Sequence, residues 1–355
     1  MWKAFLKTFL LTLVFLSILL GLTAAAAIAW ANGQWRTFAN TAQTSWPDFY
    51  QQLRDGWQKT PQSDRGRSNF LILGIDSLPG RQSAPPMTDT ILLVSIDLPE
   101  QKIYTLPLPR DLWDDYYQTK INALYAYSRQ QFPDDPFKLP REEISRLAQI
   151  PIHHTLVVSL SQISQLIDIL DGVPIQVEKS FTDRHFPKPN VDVTKEHDPA
   201  KLYMTVEFSA GTEIMSGERA LIYMRSRYSD DPEQGNDLAR EKRQQQVVQA
   251  IIQRLQDRQI LFSAAKLGRL YRFYNQNWRS SLPLSEIIAL AKKLYPWQKI
   301  TLNNQQLTVY PDDPEGAIYH PPIWQTKNIW QWRPYPDWPH FTQTVRRLLA
   351  YPPAK

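Results

Sequence analysis

The chain has 355 residues, of which 43% are hydrophobic and 21% charged, a composition typical of a folded protein with one large or two small domains. Its formal net charge of +5 suits an anionic partner such as a phosphate or a membrane surface but does not require one. The sequence contains no cysteine, which excludes disulfide bonds and thiol chemistry.

The first element is an uncharged segment of 23 residues, Phe9–Ala31, preceded by Lys3 and Lys7. About 20 apolar residues suffice to span a bilayer as a helix, and the lysines favour a cytoplasmic N-terminus. The segment therefore predicts a single-pass anchor in the cytoplasmic membrane, with the domain outside the cytoplasm. A cleaved signal peptide is the alternative, because residues 24–29 offer small-residue cleavage sites, and it too would export the domain.

Four regions follow from composition and pattern. Residues 1–31 are the cytoplasmic tip and anchor, and the polar residues 32–67 predict a juxtamembrane helix and linker. Residues 68–310 are expected to form one catalytic domain, on which a Trp-rich segment, 311–355, is packed.

Within the domain, continuous apolar runs predict strands at 69–75, 91–96 and 102–108, with a tight turn at 99–101. Later patterns predict further elements, namely helices near 119–131, 140–149, 161–171, 216–224, 237–257, 261–274, 284–294 and 339–350, strands near 155–160, 172–178 and 300–309, and an irregular or hairpin excursion over 180–208. Strands mixed with helices favour a helix-covered sheet, that is, an α/β fold.

The first three strands are expected to place polar residues at one edge of the sheet. Asp76 follows the first strand, Asp89 opens the second, and Arg110 ends the third. If the strands pair as a meander, these three residues share one end, where two carboxylates and a guanidinium can hold Mg²⁺ and an anion. The alternative is that Asp76 and Asp89 cap turns, as aspartate often does.

The helix predicted over 237–257 carries an apolar stripe on one side, formed by Val247, Val248, Ile251 and Leu255. Asp237, Arg240 and Gln244 extend this stripe toward the N-terminus, so Arg240 and Gln244 are expected to point inward. Because a buried arginine needs an anionic partner, Arg240 either pairs with Asp237 or meets a phosphate at the helix N-terminus. Asp237 is otherwise the N-cap.

Arg225 and Arg227 stand two residues apart, so they point the same way only if the chain is extended there. Pairs of arginines suit a phosphate, because each guanidinium binds two oxygens. A purely structural network of ion pairs is the alternative.

Seven segments together resemble the LytR–CpsA–Psr (LCP) family: "NFLILGIDS", "TDTILLVSID", "LPLPRD", "TKINALYAYS", "DGVPIQV", "FSAGTEIMSGERALIYMRSR" and "NDLAREKRQQQVV". They cover roughly residues 68 to 257 in the family's order. The combination of Pro-Arg-Asp, Arg-x-Arg and Asp-x-x-Arg-x-x-x-Gln is the specific part of the resemblance.

The resemblance implies a membrane-anchored protein with an extracytoplasmic α/β/α domain that transfers glycan polymers from a polyprenyl-pyrophosphate carrier to peptidoglycan. The resemblance also implies that Asp76 and Asp89 take part in binding Mg²⁺ and that Lys120 lies near the phosphates. The residues implied to grip the pyrophosphate are Arg110, Arg225, Arg227, Arg240 and Gln244. The prenyl tail would lie in an apolar pocket between sheet and helices.

One position departs from the family pattern. Family members usually carry an arginine two residues before the second aspartate, where this chain has Met87. Arg81, in the same loop, is a candidate substitute for that phosphate contact.

The predicted reaction is attack by an acceptor sugar hydroxyl on a phosphorus of a lipid-linked glycan pyrophosphate, giving a phosphodiester. Mg²⁺ and arginines would neutralise the charge that develops on the oxygens, and Asp76, Asp89 and Asp237 are candidates for the general base. The alternatives are a pyrophosphate hydrolase and a non-enzymatic wall-polymer binding protein. An exported domain without a helix-turn-helix pattern does not suit nucleic acid as a partner.

Two residue types outside the motifs invite a functional interpretation. The spacing of His153, His154, His185 and His197 matches no zinc pattern, so they are expected to be structural or surface residues. Six tryptophans follow residue 258. They are expected to fill a core, and stacking on sugars is the alternative.

Overall fold

The protein is described by a computed structural model that covers residues 27–75, 87–188, 198–278, 281–296 and 299–352, with residues 23, 191 and 196. The side chains of residues 199, 237, 238 and 241 are not described. Most of the apolar segment 9–31 lies outside this part of the chain, as do Asp76, Arg81 and His197. Among the described residues, no helix has the length and hydropathy that a bilayer crossing requires.

The strands are numbered in chain order: β1 (Arg67–Ile75), β2 (Thr88–Asp97), β3 (Lys102–Leu108), β4 (Trp113–Asp114), β5 (Thr119–Lys120), β6 (His154–Ser159), β7 (Val173–Val177), β8 (Phe181–Pro187), β9 (Tyr203–Phe208), β10 (Gly211–Met215), β11 (Thr301–Asn304), β12 (Ile318–Tyr319) and β13 (Arg333–Pro334).

The helices are α1 (27–42), α2 (Trp46–Gln58), α3 (Leu124–Gln131), α4 (Lys138–Ala148), α5 (Leu160–Ile169), α6 (Pro199–Leu202), α7 (Gly217–Arg225), α8 (Asp237–Leu255), α9 (Arg258–Leu261), α10 (Ala264–Asn277), α11 (Leu284–Lys293) and α12 (Trp338–Leu348).

The central sheet is mixed and has the strand order β11-β3-β2-β1-β6 in the described residues. β1, β2 and β3 pair antiparallel, which confirms the predicted meander, whereas β6 and β11 add in parallel at the two edges. Alternate residues of β1 explain its continuous apolar run, because Leu71 and Leu73 enter one core and Phe70 enters another.

Helices cover both faces of this sheet. On the Leu71 face, β1, β2 and β3 pack against residues of α3, α4 and α12, including Leu124, Ile144 and Phe341. On the Phe70 face, the partners include Leu290 of α11. The fold is therefore α/β with a central mixed sheet flanked by helices.

A second core lies beside the sheet. It joins α5, α7 and α8 to β7, β8 and β10, with Ile175, Phe208, Met215 and Val247 almost fully buried. The excursion over 180–208 is a hairpin in which β8 pairs antiparallel with β9, and β10, which pairs with β7, has no counterpart among the predicted strands.

The segment before β1 packs on the domain through α2. A Cβ at the buried Gly56 would lie 2.7 Å from Ile288 of α11, so the two helices touch closely. Lys59 pairs with the fully buried Glu286 at 2.8 Å, and the amide of Gln62 donates to the same carboxylate at 2.7 Å.

The boundaries of several predicted elements are corrected by the structure. The helix expected near 119–131 begins at Leu124, because residues 119–120 form β5 and a 3₁₀ turn follows. The helix expected at 261–274 is interrupted, since Ser263 caps α10 by accepting from the amide of Lys266. The strand near 300–309 is limited to four residues.

The tryptophans after residue 258 divide between the interior and the surface. Trp332 and Trp338 pack against the main core, and Trp278 donates its indole N–H to the carbonyl of Val157 at 3.0 Å. The expectation of a core role is wrong for Trp324 and Trp330, which are 76% and 50% exposed.

Candidate functional site

One group of charged residues lies at the end of the sheet where β2 begins and β3 ends, that is, at the tips of inner strands and not along an edge strand. Residue pairing sets Ile75 opposite Thr88 and Ile91 opposite Leu108, so Asp89 and Arg110 lie at the same edge. The Nη1 of Arg110 donates to the carboxylate of Asp89, an exposed ion pair.

Lys120 joins this group through Asp111. Its Nζ lies 2.7 Å from Asp111 Oδ1, and the Nε of Arg110 lies 3.5 Å from Asp111 Oδ2. Backbone bonds hold the Lys-Ile-Asn segment against the strand ends, since Asn122 N–H donates to the carbonyl of Arg110 and Thr88 Oγ1 donates to the carbonyl of Asn122, both at 3.2 Å. We call Asp89, Arg110, Asp111 and Lys120 the sheet-edge group.

The accessibility of these side chains decides what they can bind. The side chains of Asp89 and Arg110 are 47% and 51% exposed, so water already screens their attraction. An exposed ion pair of this kind contributes at most about 1 kcal/mol, and an anionic ligand can therefore take Arg110 from Asp89 at little cost.

A second group surrounds the end of α7. The helix ends at Arg225, and Ser226 follows with an extended backbone at φ −59° and ψ 129°. Asp183 of β8, 1% exposed, accepts from Ser226 Oγ at 3.0 Å and from the amides of Arg227 and Tyr228 at 3.1 and 3.2 Å. One buried carboxylate thus holds the backbone of the Arg-x-Arg motif.

The two arginine side chains of this motif lie against aromatic rings. The guanidinium of Arg225 is 5.4 Å from the ring centre of Phe186. That of Arg227 is 4.8 Å from the ring of Tyr228, and Arg227 Nη2 donates to the hydroxyl of Tyr228 at 2.5 Å. Arg227 is exposed, whereas Arg225 is half-buried.

The buried face of α8 differs from the prediction. Gln244 is exposed and reaches the carbonyl of Met224 only at 3.5 Å, and Val248 is 49% exposed. Gln246 packs toward α7 instead, because it accepts from the hydroxyl of Tyr223 at 2.8 Å. The expected inward direction of Gln244 is therefore wrong, and Arg240 is half-buried.

The buried arginine of α8 is Arg243, which is 2% exposed. It donates to the carbonyls of Ser226 and Gln234 and lies 4.8 Å from the ring centre of Phe181. Burial lowers the pKa of Arg243 from its ordinary value, and the neighbouring Arg240 lowers it further. Arg243 precedes the buried Val247, Ala250 and Ile251 by four, seven and eight residues, and this helical spacing is the signal that could have identified it.

The remaining site candidates lie in different places. Asn236, not Asp237, is the N-cap of α8, because its Oδ1 accepts from the amide of Ala239 at 2.8 Å. Asp237 is the first residue of the helix, and Met87 is 47% exposed beside β2. The sheet-edge group stands on the main core and the Arg-x-Arg motif on the second, so the candidate residues come from both parts of the fold.

The histidines make structural contacts where they are described. His153 Nδ1 accepts from the amide of Asn69 at 2.9 Å, and His154 lies 3.4 Å from Glu286. His185 is on the surface. Among the described residues, no three histidine or carboxylate side chains are grouped so that they could hold a metal ion.

A buried acid pair adjoins the sheet-edge group. Burial raises the pKa of Asp114 to about 6, and the neighbouring Glu143 raises it as well. Arg146 approaches both carboxyls, at 3.4 Å from Asp114, and the amide of Tyr116 donates to Asp114 at 2.9 Å.

This pair predicts a pH dependence of stability. Between about pH 4 and pH 6 the folded protein keeps a proton on Asp114 that the unfolded chain has released, so the contribution of Asp114 to the free energy of unfolding falls as the pH rises. We expect Asp114→Asn to remove roughly 2–3 kcal/mol of this change. Urea unfolding of both proteins from pH 4 to 7 measures it, and parallel curves would contradict the raised pKa.

The fold is an α/β domain that presents two groups of partly exposed cationic side chains, Arg110 with Lys120 and Arg225 with Arg227. A sequence profile of the LytR_cpsA_psr family matches residues 36–331, and the chain belongs to this family. The structure of B. subtilis TagV has the same fold, with a TM-score of 0.50 and 20% identity over 82% of this chain and 100% of TagV.

Two curated relatives are similar to the same region. The regulatory protein MsrR of Staphylococcus aureus is 29% identical over 219 residues, which are 60% of this chain and 57% of MsrR. The polyisoprenyl-teichoic acid–peptidoglycan teichoic acid transferase TagU of Halalkalibacterium halodurans is 24% identical over 221 residues, 61% of each chain. The matches thus span about three fifths of these relatives.

Proposed function

We propose that this protein transfers a glycan polymer from a polyprenyl-pyrophosphate carrier to a hydroxyl group of peptidoglycan, forming a phosphodiester. The observation that carries the proposal is that arginines follow β3, end α7 and lie in the first turn of α8 in a member of the LytR_cpsA_psr family. Similarity to TagU, which is named as a teichoic acid transferase, supports the class of reaction.

The residues of this chain would act mainly by charge and position. Arg110 and Lys120 would hold phosphate oxygens at the sheet edge, and Arg225, Arg227 and Arg240 would hold the rest of the pyrophosphate. Fixed cations that face the oxygens where charge develops stabilise the transition state of phosphoryl transfer. The acceptor hydroxyl attacks phosphorus, its oxygen forms the new bond, and the prenyl phosphate leaves with the electron pair of the broken bond.

Magnesium suits the sheet-edge group by the chemistry of its donors. Mg²⁺ prefers carboxylate oxygens, substrate phosphates and water, and it commonly uses only one or two carboxylates of the protein. Asp89 presents a half-exposed carboxylate here, and Asp76, which lies outside the described residues, would be the second. When bound, the ion would neutralise phosphate charge. Asp76, Asp89 and Asp237 are the candidates for accepting the hydroxyl proton.

We also propose that the domain works outside the cytoplasmic membrane, on a lipid carrier embedded in it. The motivation is the uncharged segment Phe9–Ala31 behind Lys3 and Lys7. Protease added to intact spheroplasts should digest the domain, and a domain that survives this treatment would reverse the proposed orientation.

A product assay tests the reaction itself. The purified full-length protein is incubated with Mg²⁺, a prenyl-pyrophosphate-linked glycan and peptidoglycan. Glycan joined to peptidoglycan supports the transferase, prenyl phosphate with free glycan phosphate identifies a hydrolase, and an unchanged substrate identifies a binding protein. Mass spectrometry of lipid that co-purifies with the protein tests the carrier independently.

Arg240 and Arg243 should respond differently to substitution. Arg240→Ala removes a charged hydrogen-bond donor to the ligand, so we expect binding of a prenyl pyrophosphate to weaken about ten- to a hundredfold. The melting temperature of the ligand-free Arg240→Ala variant should equal that of the wild type, because Arg240 is only half-buried and its positive charge repels that of Arg243. Arg243→Ala should lower this melting temperature, because the substitution leaves the carbonyls of Ser226 and Gln234 without their hydrogen-bond donor.

The matched control is Gln249→Ala on the exposed side of α8, which should change neither quantity. Melting curves of all three variants with and without prenyl pyrophosphate provide the measurement. A large loss of ligand-free stability in Arg240→Ala, with an unchanged ligand-induced shift, would make Arg240 part of the scaffold.

A further inference from the structure

The segment before α12 presents a set of aromatic side chains at the surface. We define the C-terminal aromatic surface as His320, Trp324, Trp330 and Trp332. Trp324 is 76% exposed and Trp330 is 50% exposed, and Ile323 and Ile329 beside them are 44% and 38% exposed. Contiguous exposed apolar patches mark binding sites on protein surfaces, so this segment is a candidate for one.

The ring of Trp330 is held in place by its neighbours. The imidazole of His320 lies on it, with ring centres 3.5 Å apart and an angle of 33°, and Trp332 meets it edge-on at 6.3 Å. The Nε2 of His320 is buried and has no hydrogen-bond partner among the described residues. Trp330 is thus a preorganised aromatic ring, half open to solvent, beside an unsatisfied polar atom.

This surface is attached directly to the sheet-edge group. The amide of Trp332 donates to the carbonyl of Asp111 at 2.9 Å, and the amide of Trp113 donates to the carbonyl of Trp332 at 2.9 Å. Trp332 and Leu112 form a parallel bridge. Trp332 is therefore joined to Asp111, Leu112 and Trp113, which directly follow Arg110 in the chain, so the aromatic surface adjoins the sheet-edge group.

We propose that the C-terminal aromatic surface binds the acceptor, a glycan strand of peptidoglycan, and positions its sugar beside the sheet-edge group. A pyranose ring presents C–H groups on one face, which pack on an indole ring, and hydroxyls at its rim, which suit polar side chains of the same segment such as the exposed Gln325. Residues 316–332 contain one lysine and no carboxylate, so nothing in this segment repels a neutral or anionic sugar.

The acceptor suits this surface better than the donor does, and the inference rests on the proposed transferase function. The donor carries a pyrophosphate, which cationic side chains can hold by charge. The reacting hydroxyl of the acceptor carries no charge, so the acceptor must be oriented through contacts with its rings. Orientation of this kind contributes much of the advantage of bringing two reactants together.

Binding to peptidoglycan sacculi tests the proposal without any need for turnover. Wild-type full-length protein should co-sediment with purified sacculi, and Trp330→Ala and Trp324→Ala should each weaken this binding about tenfold. Trp330→Phe, which retains a flat ring, should keep most of it. Trp57→Ala is the matched control, because Trp57 is 68% exposed on α2, away from this surface, and binding should be unchanged.

The readouts separate this inference from the proposed function. In Trp330→Ala the KM for peptidoglycan should rise about tenfold, the effect of losing roughly 1.4 kcal/mol of binding free energy, while the affinity for prenyl pyrophosphate stays at the wild-type level. The inference would be overturned if both Trp330→Ala and Trp324→Ala bound sacculi as well as the wild type. It would also be overturned if the two substitutions weakened only the binding of the lipid-linked donor. If wild-type protein forms no joined product and Trp330→Ala still loses sacculus binding, the transferase proposal fails and the glycan-binding surface stands.

Discussion

Asp89→Ala is expected to lower the Mg²⁺-dependent turnover of a prenyl-pyrophosphate substrate by about a hundredfold or more, the usual cost of removing a group that stabilises transition-state charge. The substitution removes a proposed metal ligand and the partner that orients Arg110. The fold should survive, since the side chain is 47% exposed. Turnover rates at a series of Mg²⁺ concentrations, with melting curves of the same samples, measure both effects.

Glu100→Ala is the matched control for this carboxylate. Glu100 is exposed in the turn between β2 and β3, at the opposite end of the sheet, and its loss should leave the rate unchanged. Full wild-type turnover in EDTA would contradict a role for the metal. A rate loss in Asp89→Ala without any change in the Mg²⁺ concentration that gives half the maximal rate would restrict Asp89 to orienting Arg110.

Asp183→Ala is expected to cost about 3 kcal/mol or more of the free energy of unfolding. The buried carboxylate accepts from Ser226 Oγ and from the amides of Arg227, Tyr228 and His185, and its removal leaves these donors without their acceptor. The affinity for prenyl pyrophosphate should fall too, because the backbone of the Arg-x-Arg motif loses its support. Urea unfolding and ligand binding at 25 °C measure the two effects.

Asp230→Ala provides the comparison, since Asp230 is 68% exposed and pairs with the exposed Arg184. An exposed pair of this kind contributes little, so its free energy of unfolding should change by less than about 1 kcal/mol. Equal effects of the two substitutions would show that Asp183 does not organise the motif. Asp183→Asn, which keeps one acceptor oxygen, should fall between them.

The sheet could be predicted from the sequence because its strands are sequential and joined by a tight turn. The apolar runs of β1, β2 and β3 and the turn after Leu98 determine the meander, which in turn places Asp89 beside Arg110. Pairing between distant segments leaves no such local signal. The parallel addition of β11 and the bridge between Leu112 and Trp332 join residues about 200 positions apart and were not foreseen.

The second group was less predictable because buried charge interrupts the apolar pattern. Arg243 occupies an interior position of α8 and donates to the carbonyl of Ser226, and Asp183 lies inside the β8–β9 hairpin and accepts from the amides of Arg227 and Tyr228. Apolar periodicity assigns a charged residue such as Arg243 to the surface, and it therefore predicts an inner side of α8 that includes Gln244. Only the position of the carbonyls of Ser226 and Gln234 in space explains why an arginine belongs there.

The contact between α2 and α11 has a consequence for how the domain meets its substrates. Lys59 and Gln62, which lie between α2 and β1, both contact the buried Glu286 of α11. These contacts fix the orientation of α2 relative to the domain. A protein tethered through this segment would keep one working height and one tilt. The distance of the domain from the membrane would then be set by a rigid segment, and the domain would reach only lipid carriers at that distance.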